Sequence, residues 1–166
     1  IAESVEEMLL AVSCSKNFGL YRERAGLVAA MTSADAVANA TGQISSVARG
    51  MYSMPPAHGG AIVEHILSTP ELRTSWETEL ENMCSSINTS RQLLKGGLKK
   101  AGALGDVDYL TDNRGMFSFL DLTKEQTEQL QKDFSVYIVG SGRINLAGVT
   151  ASNIDYLAQA IKSVAG

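Results

Sequence analysis

The residue types best suited to chemistry lie together near the start of the chain, in Ser13-Cys14-Ser15-Lys16-Asn17-Phe18-Gly19-Leu20-Tyr21-Arg22-Glu23-Arg24-Ala25-Gly26. The hydroxyls of Ser13 and Ser15 can donate to phosphate oxygens, and the guanidinium of Arg24 matches two such oxygens at once. Beside them Lys16 carries a primary amine, which condenses with a carbonyl compound when its surroundings leave part of it neutral. The segment follows an apolar run, and α/β proteins commonly place ligands at the C-terminal ends of their strands. Composition alone leaves a second reading open: a surface turn in which Ser, Lys and Gly serve solubility and backbone freedom.

Two more arginines stand where a carboxylate could meet them. Arg49 ends a run with helical spacing, where the helix dipole favours a cation in any case. Arg143 follows Gly142 and opens an apolar run, a place where a strand-edge arginine is often simply solvated. Phe117 and Phe119 alternate along a candidate strand, so core packing explains at least one of them. His58 and His65 need no catalytic role. With only those two histidines, and with Cys14 and Cys84 far from either, no metal site is expected.

These groups must be positioned by regular elements. Met8 to Ser13 and Gly26 to Met31 read as short buried strands. Thr32-Ser33, with Asp35 behind it, predicts the start of a helix whose apolar face is Val37, Ala40, Ile44 and Val47. Pro55-Pro56 breaks the chain, and a helix with Ile62, Val63, Ile66 and Leu67 on one face follows. Thr69-Pro70-Glu71 is a strong helix start. From there Leu72, Trp76, Leu80, Met83, Ile87, Leu94 and Leu98 recur at threes, fours or a seven. They predict one long helix to about Lys100, weakened at Gly96-Gly97, with Trp76 as an apolar anchor.

The last third is richer in strand formers. Met116 to Leu120, Val136 to Val139 and Ile144 to Ala147 read as strands. Thr123-Lys124-Glu125-Gln126 has the capping-box pattern and opens a helix to about Phe134. Thr150 is expected to cap a final helix with Ile154, Leu157, Ala158, Ile161 and Ala165 inward. No internal repeat or low-complexity segment interrupts the pattern.

Composition excludes several classes. The chain has 166 residues, 45% hydrophobic and 19% charged, with a formal net charge of −4. Lys99-Lys100 is its longest basic run, too little for a nucleic-acid footprint. No apolar stretch approaches a membrane span. The acidic N-terminus is unlike a targeting peptide, and two well-separated cysteines suit reduced, buried thiols rather than a disulfide scaffold.

Four segments in sequence order carry a resemblance. Ser13 to Gly26 closely resembles the cofactor-lysine segment of the aspartate and aromatic amino-acid aminotransferases, class I pyridoxal-phosphate-dependent enzymes. Tyr52-Ser53-Met54-Pro55-Pro56-Ala57-His58-Gly59, Gly115-Met116-Phe117-Ser118-Phe119 and Ser141-Gly142-Arg143-Ile144-Asn145-Leu146-Ala147-Gly148 are similar to three further segments of that family. The likeness covers essentially the whole chain, and four ordered matches are far more specific than one. Departures are few: Met54 and Arg22 stand where relatives usually have Asn.

The resemblance implies an α/β fold, the C-terminal part of a fold-type I transferase. Residues 1–68 would end the large cofactor-binding domain, 69–101 would form a long connecting helix, and 102–166 the small domain. It implies pyridoxal 5'-phosphate as cofactor, joined to Lys16 as a Schiff base, with Ser13, Ser15 and Arg24 on the phosphate. Lys16 would also shuttle a proton at the substrate α-carbon. Arg143 would take the substrate α-carboxylate. Arg49 would take a second carboxylate across the interface of a homodimer, with Ser53 near the phosphate from the same side.

The implied reaction exchanges an amino group between L-aspartate and 2-oxoglutarate. An aromatic amino-acid aminotransferase is the alternative within the family, and a non-catalytic interaction fragment the alternative outside it. The chain opens in mid-element without an initiator Met, as a C-terminal portion would. Groups expected upstream would complete the site, so the isolated chain is expected to be inactive, and its protein to be cytoplasmic or mitochondrial rather than secreted.

Overall fold

A computed structural model of the chain describes residues 2–166; Ile1, first residue of the expected large-domain segment, lies outside them. The elements run β1 (Met8–Ser13), β2 (Gly26–Met31), α1 (Val37–Tyr52), α2 (His58–Ser68), α3 (Pro70–Ala101), α4 (Tyr109–Asp112), β3 (Phe117–Phe119), α5 (Lys124–Phe134), β4 (Arg143–Asn145) and α6 (Ile154–Ala165). The class is mixed α/β, as the resemblance implies. The chain divides into two compact units, Ile1–Thr78 and Glu79–Gly166, with the division inside α3.

In the first unit β1 pairs antiparallel with β2, from Met8↔Met31 to Ser13↔Gly26. Gly26 makes the last rung possible, because a Cβ there would run into the Val12 carbonyl oxygen. The strands form where expected, but they are not buried. Leu9 is 75% exposed and Leu27 56%, and no apolar side chain described in this unit is fully buried. The physical reason is the small ladder: among the described residues it has only two strands, and α1 leaves Val37 and Val47 exposed.

The start of α1 also differs from expectation. A turn over residues 34–36 precedes it, and Ala36 at the cap makes no side-chain bond. The hydroxyl of Thr32, expected at the cap, donates instead to Glu7 Oε1 at 2.9 Å. The cysteines are free, but neither is buried: Cys14 is half-buried and Cys84 exposed on α3.

The second unit holds the core. Leu94, Leu98, Leu110, Leu130, Leu146 and Ile161 have no exposed surface, and burying each such side chain contributes roughly 1.5–3 kcal/mol. Helix α3 continues unbroken through Gly96-Gly97. Gly97 is there for packing: a Cβ would lie 2.5 Å from Ile154 Cγ1 and 2.7 Å from its Cδ1. Helix α6 buries Ile154, Leu157, Ala158, Ile161 and also Ala160 and Val164. Thr150 does not cap it through its side chain; its carbonyl accepts from Asn153 and Ile154, one tight turn before the helix.

The capping box forms as read, Thr123 Oγ1 accepting from Gln126 N and Gln126 Oε1 from Thr123 N. Strand β3 pairs antiparallel with β4, Phe117↔Asn145 to Phe119↔Arg143. Val136 to Val139, expected as a strand, joins no ladder. Its β-branched residues satisfy the local preference, but a strand needs a partner, and Val139 meets Arg143 through one long bond of 3.4 Å. Leu146 and Ala147, expected to continue the neighbouring strand, belong instead to a 3-10 turn over Leu146–Gly148.

Candidate active site

The β1–β2 connection carries the predicted cofactor segment, and its geometry follows from the end of the ladder. Cys14 N donates to Ala25 O at 3.0 Å, one step beyond the last rung. Ser15 is thereby held at the strand end and is 9% exposed. Its N–H donates to Ser13 Oγ at 3.2 Å, and the Ser13 hydroxyl donates to Ser15 Oγ at 3.0 Å. The two hydroxyls thus form one cluster.

Lys16 opens a turn closed by Phe18 N to Cys14 O and Gly19 N to Lys16 O, both 3.3 Å. Gly19 has φ +66, a conformation that favours glycine. The chain then folds back so that Lys16 Nζ stands 3.9 Å from the centroid of the Tyr21 ring, a cation–π contact. Arg24 lies 5.8 Å from the same ring and donates to Tyr21 O at 2.9 Å. Its φ of +53 is rarely adopted by a residue with a side chain and costs on the order of 1 kcal/mol or more.

Ser13, Ser15, Lys16, Tyr21, Arg22 and Arg24 together line an open cavity of about 590 Å³. Three cations, two serine hydroxyls and one tyrosine therefore line one space. The acid of this segment, Glu23, turns away: its Oε2 lies 2.8 Å from His58 Nδ1 at the start of α2. Gly59 lets the loop come that close, since a Cβ there would lie 2.8 Å from Glu23 Cβ and 2.9 Å from Ala25 Cβ. From α3 the ring of Trp76 stacks on Phe18 with centroids 4.5 Å apart and planes 9° from parallel. Trp76 Nε1 donates to Asn17 O at 2.7 Å.

Of the residues singled out by sequence, Ser13, Ser15, Lys16 and Arg24 meet at this cavity. Arg49 does not line it; it lies exposed in the last turn of α1 and has no ion-pair partner among the described residues. Ser53 follows that helix with φ +63. Arg143 belongs to the second unit, exposed on β4, with Cζ 5.0 Å from the Phe117 ring centroid.

Sequence reasoning missed Tyr21 as a site residue and Arg91 altogether. Arg91 is 1% exposed and donates to Leu110 O at 2.7 Å, Gly115 O at 2.6 Å and Phe117 O at 2.9 Å. Burial pushes its pKa down from the ordinary arginine value. A signal was available: Arg91 sits between Ile87 and Leu94 at the four-and-three spacing of the apolar stripe, a position where a cation has to be satisfied internally.

The β1–β2 pair thus ends in a lysine turn beside a cluster of hydroxyls and guanidinium groups. The family model for aminotransferase class I and II matches residues 1–161, and the chain belongs to that family. It is 43% identical over 164 residues to the aspartate aminotransferase of Haemophilus influenzae, covering 98% of this chain and 41% of that protein. It is 43% identical over 166 residues to the aromatic-amino-acid aminotransferase of Paracoccus denitrificans, covering 99% and 42%. The fold is similar to the crystal structure of the aromatic-amino-acid aminotransferase from Burkholderia pseudomallei covalently bound to pyridoxal phosphate. That match has a TM-score of 0.83 at 42% identity and covers 95% of this chain and 40% of the other. The chain spans about two fifths of the length of the relatives it matches. Relatives of the aspartate and of the aromatic name thus match the chain at the same identity.

Proposed function

We propose that the protein containing this chain exchanges an amino group between L-aspartate and 2-oxoglutarate, with pyridoxal 5'-phosphate as cofactor. The observation that carries this reading is the meeting of Ser13, Ser15, Lys16 and Arg24 around one cavity, with no carboxylate among its lining residues as described. The donor set fits the group: hydroxyls and guanidinium for a phosphate, and a primary amine for an aldehyde. Ser13, Ser15 and Arg24 would hold the phosphate, and Lys16 would hold the cofactor covalently through Nζ. Bound there, pyridoxal phosphate supplies an electron sink for charge developing at the substrate α-carbon.

The remaining work falls to side chains. Lys16 Nζ would carry the proton to and from that carbon. Arg143 would pair with the substrate α-carboxylate. Arg49, from the neighbouring subunit of a homodimer, would pair with the second carboxylate of a dicarboxylic substrate. In domain terms residues 1–68 would complete the large domain, 69–101 connect, and 102–166 form the small domain. The protein would work in the cytoplasm or the mitochondrial matrix. The isolated chain would be inactive, because catalysis needs the whole set of groups held in advance.

The aromatic alternative stays in view because the Paracoccus denitrificans relative is as similar as the aspartate one. Steady-state kinetics of the full-length protein separate the two. In the aspartate reading, kcat/KM for aspartate exceeds that for tyrosine. Arg49→Ala then weakens dicarboxylic substrates by about 2–5 kcal/mol and leaves alanine little changed, whereas Arg143→Ala impairs every amino acid. Equal losses for alanine and aspartate in Arg49→Ala would contradict this division of labour.

A further inference from the structure

We infer that Trp76 is a positioning residue for Lys16: from α3 its indole clamps Asn17 and Phe18 and so fixes where the turn presents the lysine amine. The inference rests on the reading of Lys16 as the cofactor lysine. Trp76 is 59 residues distant from Asn17 in sequence, yet its Nε1 donates to the Asn17 carbonyl at 2.7 Å. Its ring covers that of Phe18 in a nearly parallel stack, with centroids 4.5 Å apart. Indole is the one large apolar side chain with a ring N–H, so a single residue supplies both the stacking surface and the donor.

The clamp matters because the turn has little else. Its internal bonds are both 3.3 Å long, and it pivots on Gly19. Lys16 itself is exposed, and its amine rests against the Tyr21 ring rather than a carboxylate. The phosphate-facing groups, by contrast, are anchored independently of Trp76. Ser13 is in β1, and Ser15 is held by the extra rung between Cys14 and Ala25. Arg24 is held by the Tyr21 carbonyl, in a loop pinned at Glu23 by His58. Loss of the clamp therefore loosens the amine and spares the anion site. A misplacement of about 1 Å between reacting groups can lower a rate on the order of a hundredfold.

Linking consists of addition of Lys16 Nζ to the aldehyde carbon of pyridoxal phosphate, with the carbonyl oxygen leaving as water. Pyridoxamine phosphate has no aldehyde and reports binding alone. The test measures both in the cofactor-free full-length protein: the dissociation constant of pyridoxamine phosphate, and the first-order rate of linking pyridoxal phosphate by stopped-flow absorbance. Trp76→Leu removes stack and donor; Trp76→Phe keeps a ring and removes the donor. The expected result is a linking rate lowered at least about tenfold in Trp76→Leu and less in Trp76→Phe, with pyridoxamine phosphate bound within about twofold of the parent in both.

An undiminished linking rate in either variant overturns the inference, as does a parallel loss of pyridoxamine phosphate binding, which marks general loosening. If Trp76→Leu does not fold, Trp76→Phe decides by the same two measurements. Borohydride fixation of the parent keeps the two readings apart. A label on another lysine defeats the proposed function itself, whereas a label on Lys16 formed at the parent rate in the variants defeats only the clamp.

Discussion

Arg91 holds Phe117 by its backbone: Nη2 donates to the Phe117 carbonyl at 2.9 Å from a side chain that is 1% exposed. The same guanidinium bonds Leu110 O and Gly115 O, so α4, the following loop and β3 converge on one buried cation. Phe117 in turn flanks Arg143. Arg91→Met would leave three carbonyls without this donor. It is expected to cost about 3 kcal/mol or more, read as a lowered midpoint in urea. Arg91→Lys should recover only part, because an ammonium cannot span the three acceptors as a planar fork does.

The two adjacent glycines of α3 should respond in opposite directions. A Cβ on Gly96 meets nothing within 4 Å, so Gly96→Ala gains helix propensity, about 0.8–1 kcal/mol. A Cβ on Gly97 would sit 2.5 Å from Ile154 Cγ1, a buried side chain of α6. Overpacking there costs about 1–3 kcal/mol and outweighs the propensity gain, so Gly97→Ala is destabilising. Thermal unfolding of the two variants checks the sign of each.

Acid should weaken the second unit through Asp108. Hydrogen bonds from Lys95 and Lys99, with their charges, hold its carboxyl down to about 2 from the usual 3.8; both amines contact Oδ1, at 2.7 and 2.6 Å. A depressed folded-state pKa favours the folded form fully above the unfolded value. That contribution fades as pH falls from about 4 towards 2. Asp108→Asn should flatten the stability–pH curve across that window and should leave its shape above pH 5 unchanged. An identical acid slope in the variant would show that Asp108 is not its source.

What was legible in the sequence was local. The capping box at Thr123 and Gln126 spans four residues and formed as read, and Pro70 and Glu71 began α3 where expected. The segment of Ser13, Ser15, Lys16 and Arg24 stood out through its resemblance to the family's cofactor-lysine segment, whereas its residue types alone left a plain surface turn open; the four residues do share one strand end and cavity. Longer-range facts were not legible. Val136 to Val139 has strand residues but no partner to complete a ladder. Thr32 found Glu7, 25 residues away, and left the helix cap unfilled. Trp76 reads as an apolar anchor on α3, but nothing in the helical period says that its N–H reaches Asn17. Tyr21 became a site residue only when Gly19 turned the chain back across Lys16.

The most direct measurement of the central claim is the location of the cofactor lysine. Lys95 and Lys99 are engaged by Asp108, Lys100 by Asp155 at 3.0 Å, and Lys124 lies 3.6 Å from Glu128. Lys132 and Lys162 are exposed on α5 and α6. Among these lysines, Lys16 alone lines the cavity that two serines, a tyrosine and two arginines also line. Reducing the full-length protein with borohydride in the presence of pyridoxal phosphate, then mapping its peptides by mass, tests this directly. The predicted result is a stable label on the peptide containing Lys16, absent in Lys16→Ala although that variant still binds the cofactor. A label on any other lysine, with Lys16 unmodified, would contradict the assignment of the site.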